Sequence, residues 1–381
     1  MFIVEQISSR LKPKCDILAL GVDTAQRVSF SKKGKIFELR PRRDFTCSED
    51  FYDQMVAFLW RKVKAEFHVI SFDPHPLLAS RAFSAIIKKK YYSKAKLVPI
   101  WHHVAHAASF GYEADKSKNY IGIVFDGTGY GKDGHVWGGE FFVHRGHTFL
   151  RAAHFQYQPL CGNELAIKEP WRFAFGVLYG IYGLKDFPFD LACFKGVKKD
   201  TFKLFAQMVD KGFNTPLVSS VGRLFDAVSA LLSIKTIASK EAEAAIALEK
   251  AGAKYRGCVD KAYSFKIKKQ GGCFCVEPAL MFEEIIRDLR RGLSVERIAY
   301  QFHVTLAEMM RQVCLLLSKE YKIKKIYCSG GVFMNNILCS EAKRLFEKED
   351  LKLYFALRPL NTDLGISRGQ IAACMMEKLC V

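Results

Sequence analysis

Apolar residues recur at intervals of three and four positions in several parts of the chain, which is the spacing of an amphipathic helix. Helices are predicted on this basis at 51–67, 170–182, 221–237, 298–321 and 340–346. Shorter apolar runs, such as 325–328 and 353–356, are typical of buried strands. Strands that lead into helices through glycine-containing turns indicate a mixed α/β fold.

Two separate segments repeat one order of predicted elements. In the first, the apolar run 16–22 ends at Asp23–Thr24 and is followed by two short strands that a turn at 32–35 connects. In the second, the run 120–125 ends at Asp126–Gly131 and is followed by another hairpin. A repeated unit of strand, turn and hairpin predicts two similar lobes across a cleft, the layout of the actin/Hsp70/sugar-kinase (ASKHA) ATPase superfold. Each lobe of such a fold directs a turn of small residues at nucleotide phosphates, because backbone N–H groups can approach closely there.

The sequence contains no linker rich in proline, glycine or serine between these segments. We therefore expect one two-lobed body rather than independent domains. The first lobe is assigned to residues 1–116. The second lobe is assigned to residues 117–381 and is expected to contain helical insertions that bind nucleotide. The fold allows its C-terminal helix to pack against the first lobe.

The composition is that of a globular protein, with 50% hydrophobic and 25% charged residues. There is no uninterrupted run of ~18 apolar residues to span a membrane, and the N-terminal residues do not resemble a secretion signal. We therefore expect a cytoplasmic protein without a membrane partner. The 58 Lys and Arg residues exceed the 39 Asp and Glu residues, which gives a formal charge of +19. This charge favours anionic partners such as nucleotides, nucleic acid or acidic proteins, or is simply that of a solvated basic surface.

The 12 cysteines are scattered along the chain, and no two of them form a Cys-x-x-Cys pair. This spacing argues against a zinc finger or zinc ribbon. In the absence of a recognisable secretion signal, we expect the cysteines to be reduced thiols.

The segment 101–106, Trp-His-His-Val-Ala-His, is the strongest local indication of a functional site, in this case a metal site. If it is helical, His102 and His106 lie on one face at positions i and i+4, within reach of one metal ion. Imidazole suits zinc or iron, but two ligands are too few, so a carboxylate has to join from another part of the chain. The alternative is a pair of histidines that bind no metal, and His103, on another face of the helix, is a weaker candidate ligand.

Two glycine-containing segments are candidates for contact with anionic groups. Gly127, Thr128 and Gly129 follow a buried strand, and glycine lets a phosphate approach the backbone. Asp126, directly before them, is a candidate metal ligand. The segment 329–336 joins a predicted strand to a predicted helix, so that helix N–H groups face the turn.

Two further segments contain candidate binding residues whose role depends on the tertiary fold. Gly222 would admit a flat base against the backbone, and Asp226 would bond ribose hydroxyls. Asp363 follows the last predicted strand and matters only if the fold brings it beside the histidine pair. All four segments also have an ordinary structural interpretation, as a hairpin start, a strand–helix turn, a serine-capped helix or a loop aspartate.

Taken together, these segments resemble one family over almost the whole chain: the carbamoyltransferase domain of HypF, a hydrogenase-maturation factor related to the TsaD family of tRNA threonylcarbamoyl transferases. The strings that carry the resemblance are FDPHP (72–76), HHVAHAAS (102–109), DGTGYG (126–131), WGGE (137–140), KEPWR (168–172), GRLFDAV (222–228), EAA (243–245), FH (302–303) and SGGVF with the following asparagine (329–335). The family has the two-lobed fold that the repeated unit predicts.

The resemblance implies a metal ion and a nucleotide. It implies that one divalent ion, iron or zinc, is held by four residues: His102, His106, Asp126 and Asp363. It also implies that an adenine nucleotide, whether ATP, AMP or carbamoyladenylate, is surrounded by Gly222, Asp226, Glu243, Gly330, Gly331 and Asn335. The sequence indicates no general base, so the catalytic residues are left unassigned.

The function that the resemblance implies is carbamoyl transfer in the maturation of [NiFe] hydrogenase. As a stand-alone carbamoyltransferase domain, the chain would take the carbamoyl group from carbamoyladenylate made by a separate YrdC-like protein. It would pass the group to a C-terminal cysteine of a HypE-like partner. Two alternatives stay open: transfer of a carbamoyl or threonylcarbamoyl group to tRNA or a small-molecule hydroxyl, and a non-catalytic paralogue that binds nucleotide.

Several positions depart from the pattern of the family. The first-lobe turn is Asp23–Gln26 instead of a sequence like Leu-Lys-Asn-Thr, and Gly162–Glu164 stands where Gly-Gly-Asp is usual. Leu364 stands where a glycine usually follows the aspartate, and Val304 stands where an asparagine is usual. These changes leave the predicted metal residues intact and fall on the expected surroundings of the phosphate and acyl groups.

Overall fold

Two mixed β-sheets organise the chain in a computed structural model, which describes residues 2–112, 119–257, 259 and 261–379. The first sheet has six strands in the order β1-β4-β3-β2-β5-β6. These strands are β1 (Phe2–Ile7), β2 (Ile17–Ala19), β3 (Val28–Lys32), β4 (Lys35–Pro41), β5 (Val69–Phe72) and β6 (Lys96–Pro99). Helices α1 (Ser48–Phe58) and α2 (Ala79–Tyr91) bury aromatic and aliphatic side chains against this sheet.

The second sheet has nine strands, seven of them in the order β12-β13-β9-β8-β7-β14-β15, while β11 pairs with β8 and β10 pairs with β11. Its strands are β7 (Tyr120–Tyr130), β8 (Val136–Arg145), β9 (Thr148–Phe155), β10 (Gln158–Pro159), β11 (Leu217–Val218), β12 (Lys266–Gln270), β13 (Cys273–Glu277), β14 (Lys325–Ser329) and β15 (Lys352–Phe355). The remaining helices are α3 (His102–Ala108), α4 (Glu164–Lys168), α5 (Pro170–Tyr182), α6 (Lys199–Asp210), α7 (Val221–Leu231), α8 (Glu243–Gly252), α9 (Ala279–Arg290), α10 (Val295–Tyr321), α11 (Asn336–Phe346) and α12 (Ile366–Met376).

The two sheets repeat one topology. In the first, the antiparallel strands β4, β3 and β2 continue into the parallel strands β5 and β6. In the second, the antiparallel strands β9, β8 and β7 continue into the parallel strands β14 and β15. The prediction of a duplicated, two-lobed α/β fold of the ASKHA class is therefore confirmed. The predicted boundary between residues 116 and 117 lies outside the described residues.

Helices α3 and α12 pack together between the two sheets. α12 lies on the first sheet, where the Gly21 N–H donates to Gln370 Oε1 at 2.9 Å and the hydroxyls of Ser29 and Ser367 are 2.9 Å apart. α3 packs on β7 and β8 of the second sheet. The histidines of α3 consequently lie where the two lobes meet.

Some predicted boundaries differ from the observed ones for local reasons. The helix predicted at 221–237 ends at Leu231, because Ser233 takes a left-handed conformation with φ of 55°. The helix predicted at 51–67 divides into α1 and a π-helical turn, Leu59–Val63, that ends at the left-handed Lys64. Residues 126–130, predicted as a turn, instead continue strand β7 past an irregularity in its pairing with β8. Among the described residues, no helix is long and apolar enough to cross a membrane.

Most of the described cysteines are free thiols, many of them in the core, as the composition predicts. Burial raises the pKa of the Cys314 thiol, and burial beside Cys314 and Cys339 does the same for Cys328. Cys15, in contrast, is disulfide-bonded. The expectation of reduced thiols throughout is therefore wrong at that position.

Asn163 has a backbone conformation that favours glycine, with φ of 53° and ψ of −118° directly before α4. We expect Asn163→Gly to raise the free energy of unfolding by about 1 kcal/mol, because glycine relieves this strain. Asn214, whose φ is 49°, is the matched control, since asparagine tolerates the left-handed region. Urea unfolding of both variants tests the prediction, which an equal gain in Asn214→Gly or a loss in Asn163→Gly would contradict.

Candidate metal and nucleotide site

Four side chains from three segments converge at the meeting point of the lobes. α3 is helical as predicted and presents His102 and His106, both buried, on one face. Asp126 comes from β7 and Asp363 from a short 3₁₀ turn before α12. One ligand atom from each of the four residues lies within 4.8 Å of the others. The residues that the resemblance implied as one ligand set therefore form one cluster.

The spacing of these atoms fits a single small ion. The Nε2 atoms of His102 and His106 lie 3.4 and 3.3 Å from Asp126 Oδ2, and 3.4 and 3.7 Å from Asp363 Oδ1. A tetrahedral ion with bonds of about 2.1 Å separates its ligand atoms by about 3.4 Å. Both Nε2 atoms are buried without a hydrogen-bond partner. Two imidazoles and two carboxylates are also a donor set that suits zinc or iron.

The electrostatics of the cluster show that it requires positive charge. Burial lowers the pKa of His102, but the carboxylates of Asp363, Asp126 and Asp73 outweigh burial and raise that pKa well above its usual value. Burial raises the pKa of Asp363, but His102 and His106 outweigh it and lower that pKa. Two carboxylates held this close to each other are stable only with a cation or protons between them. A divalent ion would supply that charge.

A further layer of contacts holds the four side chains in position. Asp73 Oδ2 is 3.1 Å from His102 Nδ1, and Ser329 Oγ is 3.4 Å from His106 Nδ1, so each imidazole has a partner on the side away from the cluster. The Thr24 hydroxyl donates to Asp363 Oδ2 at 3.3 Å. Neither Asp73 nor Thr24 was among the predicted site residues. The available signal was their place in the connections that follow β5 and β2, strands whose carboxyl ends face the cleft.

Asp126 is oriented by the backbone around it. The N–H groups of Gly127 and Gly331 donate to Asp126 Oδ1 at 2.9 and 3.2 Å, which leaves Oδ2 directed at the histidines. Ser220 Oγ lies 2.7 and 2.6 Å from the carbonyl oxygens of Asp126 and Gly127 and also caps α7. At Gly222 a Cβ would lie 2.9 Å from the Gly127 Cα. Glycine at 222 therefore lets α7 approach β7 directly beside the cluster.

A cavity of about 630 Å³ opens next to the cluster, between the lobes. Thr24 and Ala25 line it from the first lobe and Asp126 and Gly127 from the second, so the turns of both lobes face it as predicted. Of the residues predicted to bind nucleotide, four line this cavity: Gly127, Gly222, Gly331 and Asn335.

The other five predicted nucleotide residues do not line the cavity. Thr128 is exposed on β7, and Gly129 packs against the rings of His102 and His103. At Gly330, where φ is 101°, a Cβ would lie 2.1 Å from the Phe125 carbonyl oxygen, so this residue packs against β7.

Asp226 and Glu243 have local partners instead. Asp226 is buried and pairs with Arg223 at 2.9 Å, and burial raises the pKa of Asp226 to about 6. Glu243 accepts hydrogen bonds from Ser239 at the start of α8 and pairs with Lys235. These two carboxylates therefore stabilise the helices that border the cavity.

Three charged residues outside the predicted set line the cavity: Arg223, Glu241 and Glu249. Glu249 accepts a hydrogen bond from the N–H of Asn336. Arg223 is only 4% exposed, and its Nε has no hydrogen-bond partner. Partial burial and the nearby Asp363 and Asp126 carboxylates raise the pKa of Glu241. Arg223 lies inside a string that carried the resemblance and Glu241 lies two residues before another, but residue type alone does not show which side chains face a cleft.

Two lobes of one topology, with a cluster of metal-ligand type at the base of their cleft, define a protein of the ASKHA superfold. Within it, residues 12–113 match the HypF Kae1-like domain. Residues 122–370 match the second subdomain of the carbamoyltransferase, Kae1-like domain. The chain therefore belongs to the HypF carbamoyltransferase family, an enzyme family.

Individual relatives agree with this assignment. The chain is 26% identical over 379 residues to the probable carbamoyltransferase HypF of Methanocaldococcus jannaschii. The match covers 99% of this chain and 48% of the relative. It is 28% identical over 323 residues to a carbamoyltransferase HypF homolog of Cupriavidus necator, with 84% of this chain and 81% of the relative covered.

Solved structures agree as well. A full-length HypF crystallised in the phosphate- and nucleotide-bound form superposes with a TM-score of 0.85 at 28% identity, over 97% of this chain and 56% of that one. The HypF of T. kodakarensis gives a TM-score of 0.84 at 26% identity, over 98% of this chain and 49% of that one. The chain thus spans about half the length of several relatives that it matches.

Proposed function

We propose that this chain is a carbamoyltransferase in the maturation of [NiFe] hydrogenase. It takes the carbamoyl group from carbamoyladenylate, supplied by a YrdC-like protein, and passes it to the C-terminal cysteine of a HypE-like acceptor. The observation that carries the proposal is the four-residue cluster that borders a cavity between two lobes of the HypF family fold. Mass spectrometry of the acceptor, after incubation with this chain and carbamoyladenylate, tests it directly.

The transfer itself exchanges one bond for another. The acceptor thiolate attacks the carbamoyl carbon, a C–S bond forms, and the C–O bond to the adenylate phosphate breaks. AMP leaves with the electron pair of that bond, and the proton of the acceptor thiol goes to solvent. A divalent ion, iron or zinc, bound by His102, His106, Asp126 and Asp363 would supply Lewis-acid stabilisation of the negative charge on the donor.

The residues of the chain itself position the donor. Arg223 directs a buried guanidinium at the cavity, where an anionic phosphate would pair with it in surroundings of low polarity. Asp73 and Ser329 fix the two histidine rings, so the cluster needs little rearrangement when the donor binds. The hydrogen bond from the Thr24 hydroxyl to Asp363 connects the first lobe to the cluster.

Nucleotide binding can be tested separately from transfer. We expect AMP and ATP at millimolar concentration to raise the melting temperature, because a ligand that binds only the folded state stabilises it. Arg223→Gln should weaken AMP binding roughly tenfold through loss of a charge-assisted contact. Arg290→Gln is the matched control, since Arg290 also pairs with an aspartate but lies on the surface. A melting temperature of the wild type that neither nucleotide changes would exclude the cavity as a nucleotide site.

A further inference from the structure

An aromatic surface lies next to the metal cluster and outside the nucleotide cavity. It consists of His75, Trp101 and Tyr130, all partly exposed, which we call the aromatic ledge. The ring centroids of His75 and Tyr130 are 5.2 Å apart, and those of Trp101 and Tyr130 are 6.0 Å apart. The neighbouring Leu77 is 86% exposed, so the apolar surface continues beyond the rings.

The ledge is joined to the cluster at three points of the chain. Trp101 directly precedes His102, and His75 follows Asp73, whose carboxylate contacts His102. β7 passes so close to the cluster that a Cβ on Gly129, the residue before Tyr130, would lie 2.9 Å from His102 Cδ2. None of the three ledge residues lines the cavity between the lobes. The ledge therefore borders the cluster on a side that a nucleotide in that cavity leaves accessible.

Positive charge flanks the ledge. The exposed Arg81 donates from Nη1 to the carbonyl oxygen of Pro74 at 3.1 Å, which places its guanidinium beside His75. Lys132, also exposed, lies two residues beyond Tyr130. Lys132 interacts electrostatically with the Glu377 carboxylate, whereas no ion pair of Arg81 with a carboxylate is seen among the described residues. An anionic group that docks on the ledge would therefore find the Arg81 guanidinium available to pair with it.

We propose that the aromatic ledge, with Arg81, docks the C-terminal tail of the acceptor protein. The inference rests on the proposed function, in which the acceptor group is a C-terminal cysteine. A terminal cysteine combines a thiol, which packs favourably against aromatic rings, with an α-carboxylate, which pairs with a guanidinium. Docking there holds the sulfur beside the cluster while the nucleotide occupies the cavity, and such placement of two reactants is a major source of rate enhancement.

Direct binding of the acceptor tail tests the docking site without any transfer. The probe is a short fluorescein-labelled peptide with the C-terminal sequence of the HypE-like acceptor, in which serine replaces the cysteine. We expect saturable binding to the wild type, measured by fluorescence anisotropy. Tyr130→Ala should weaken it roughly tenfold, as removal of a central aromatic contact does. Trp60→Ala, at an aromatic residue that is 49% exposed and packs on Tyr91 and Tyr92 instead, should leave it unchanged.

The role of Arg81 has its own test. Arg81→Gln should weaken binding of the free-acid peptide roughly fivefold and leave binding of the C-terminally amidated peptide unchanged, because only the free acid has the charge to lose. Lys89→Gln, at an exposed lysine of α2, is the control for total charge.

Absence of saturable peptide binding, an equal effect of Trp60→Ala, or equal effects of Arg81→Gln on both peptides would overturn the docking site. The proposed function is tested by other measurements, namely carbamoyl transfer to the full acceptor and the change in melting temperature with AMP. Transfer without tail binding refutes only the docking site, and tail binding without transfer refutes only the proposed function. In the transfer assay, Tyr130→Ala should raise KM for the acceptor and leave kcat at saturating acceptor unchanged.

Discussion

Replacing His102 and His106 together by alanine should remove the bound divalent ion, from about one per chain to background, since one site with four ligands cannot keep its affinity with two. The two histidines supply both nitrogen donors of the cluster, and the remaining carboxylates of Asp126 and Asp363 come from separate segments. Inductively coupled plasma mass spectrometry of the purified protein measures the metal content and identifies the metal.

A matched variant separates this effect from a general loss of histidine. His135 and His147 lie outside the described ligand cluster, and the double variant His135→Ala with His147→Ala should keep full metal content. Circular dichroism of both double variants checks that the fold persists. Metal content that stays the same after loss of His102 and His106 would eliminate the site.

Site residues that are close together in the sequence could be predicted from it, and those that only the tertiary fold brings together could not. The i, i+4 spacing of His102 and His106 is a local property of a helix, so the sequence alone predicts that both lie on one face. Asp363 lies more than 200 residues further along the chain and reaches the cluster only because α12 returns to pack against α3. No local pattern contains that contact, and only the resemblance pointed to it.

The same limit applies to Glu243, which the resemblance implied as a nucleotide residue, and to Glu241, which no sequence signal named. Ala242 between them has a left-handed conformation, with φ of 57°. The chain turns there, so that Glu241 faces the cavity and Glu243 bonds back to Ser239 at the start of α8. A backbone angle therefore sets the direction of each carboxylate, and alanine gives no sequence signal for that angle.

The departures from the family pattern fall both beside the cluster and away from it. Leu364 and the first-lobe turn residues Thr24 and Ala25 line the cavity next to the metal residues. Val304 borders a different cavity, between α10 and α11, and does not line the one beside the metal residues. Asp23 accepts hydrogen bonds from the N–H groups of Ala79 and Ser80 and thereby caps α2, while Thr24 still contacts Asp363. The first-lobe turn thus keeps its contact with the cluster despite its altered sequence. These positions support the proposal that the chain has kept its activity.

That proposal leads to a test at Asp363, the carboxylate that connects the cluster to the first lobe. Asp363→Ala should lower the rate of carbamoyl transfer roughly 100-fold to 1,000-fold, about 3 kcal/mol of transition-state stabilisation, by comparison with the loss of one strong electrostatic contact. Its side chain is 42% exposed, so it has little packing to lose, and the variant should fold. Asp350→Ala is the matched control, because Asp350 is an exposed carboxylate that pairs with a lysine far from the cleft.

The assay combines this chain, a YrdC-like enzyme that makes carbamoyladenylate, and a HypE-like acceptor, with the mass gain of the acceptor cysteine as the readout. Wild type and Asp350→Ala should give equal thiocarbamate, and Asp363→Ala should give almost none in the same time. Because carbamoyladenylate hydrolyses in water, positive charge on the chain, formally +19, should speed its encounter with the donor-making protein at low salt, and the wild-type rate should fall as salt rises. If the wild type forms no thiocarbamate where a full-length HypF does, the proposed transfer to a HypE-like acceptor is wrong. Transfer to another acceptor and a nucleotide-binding paralogue without turnover are then the functions that remain.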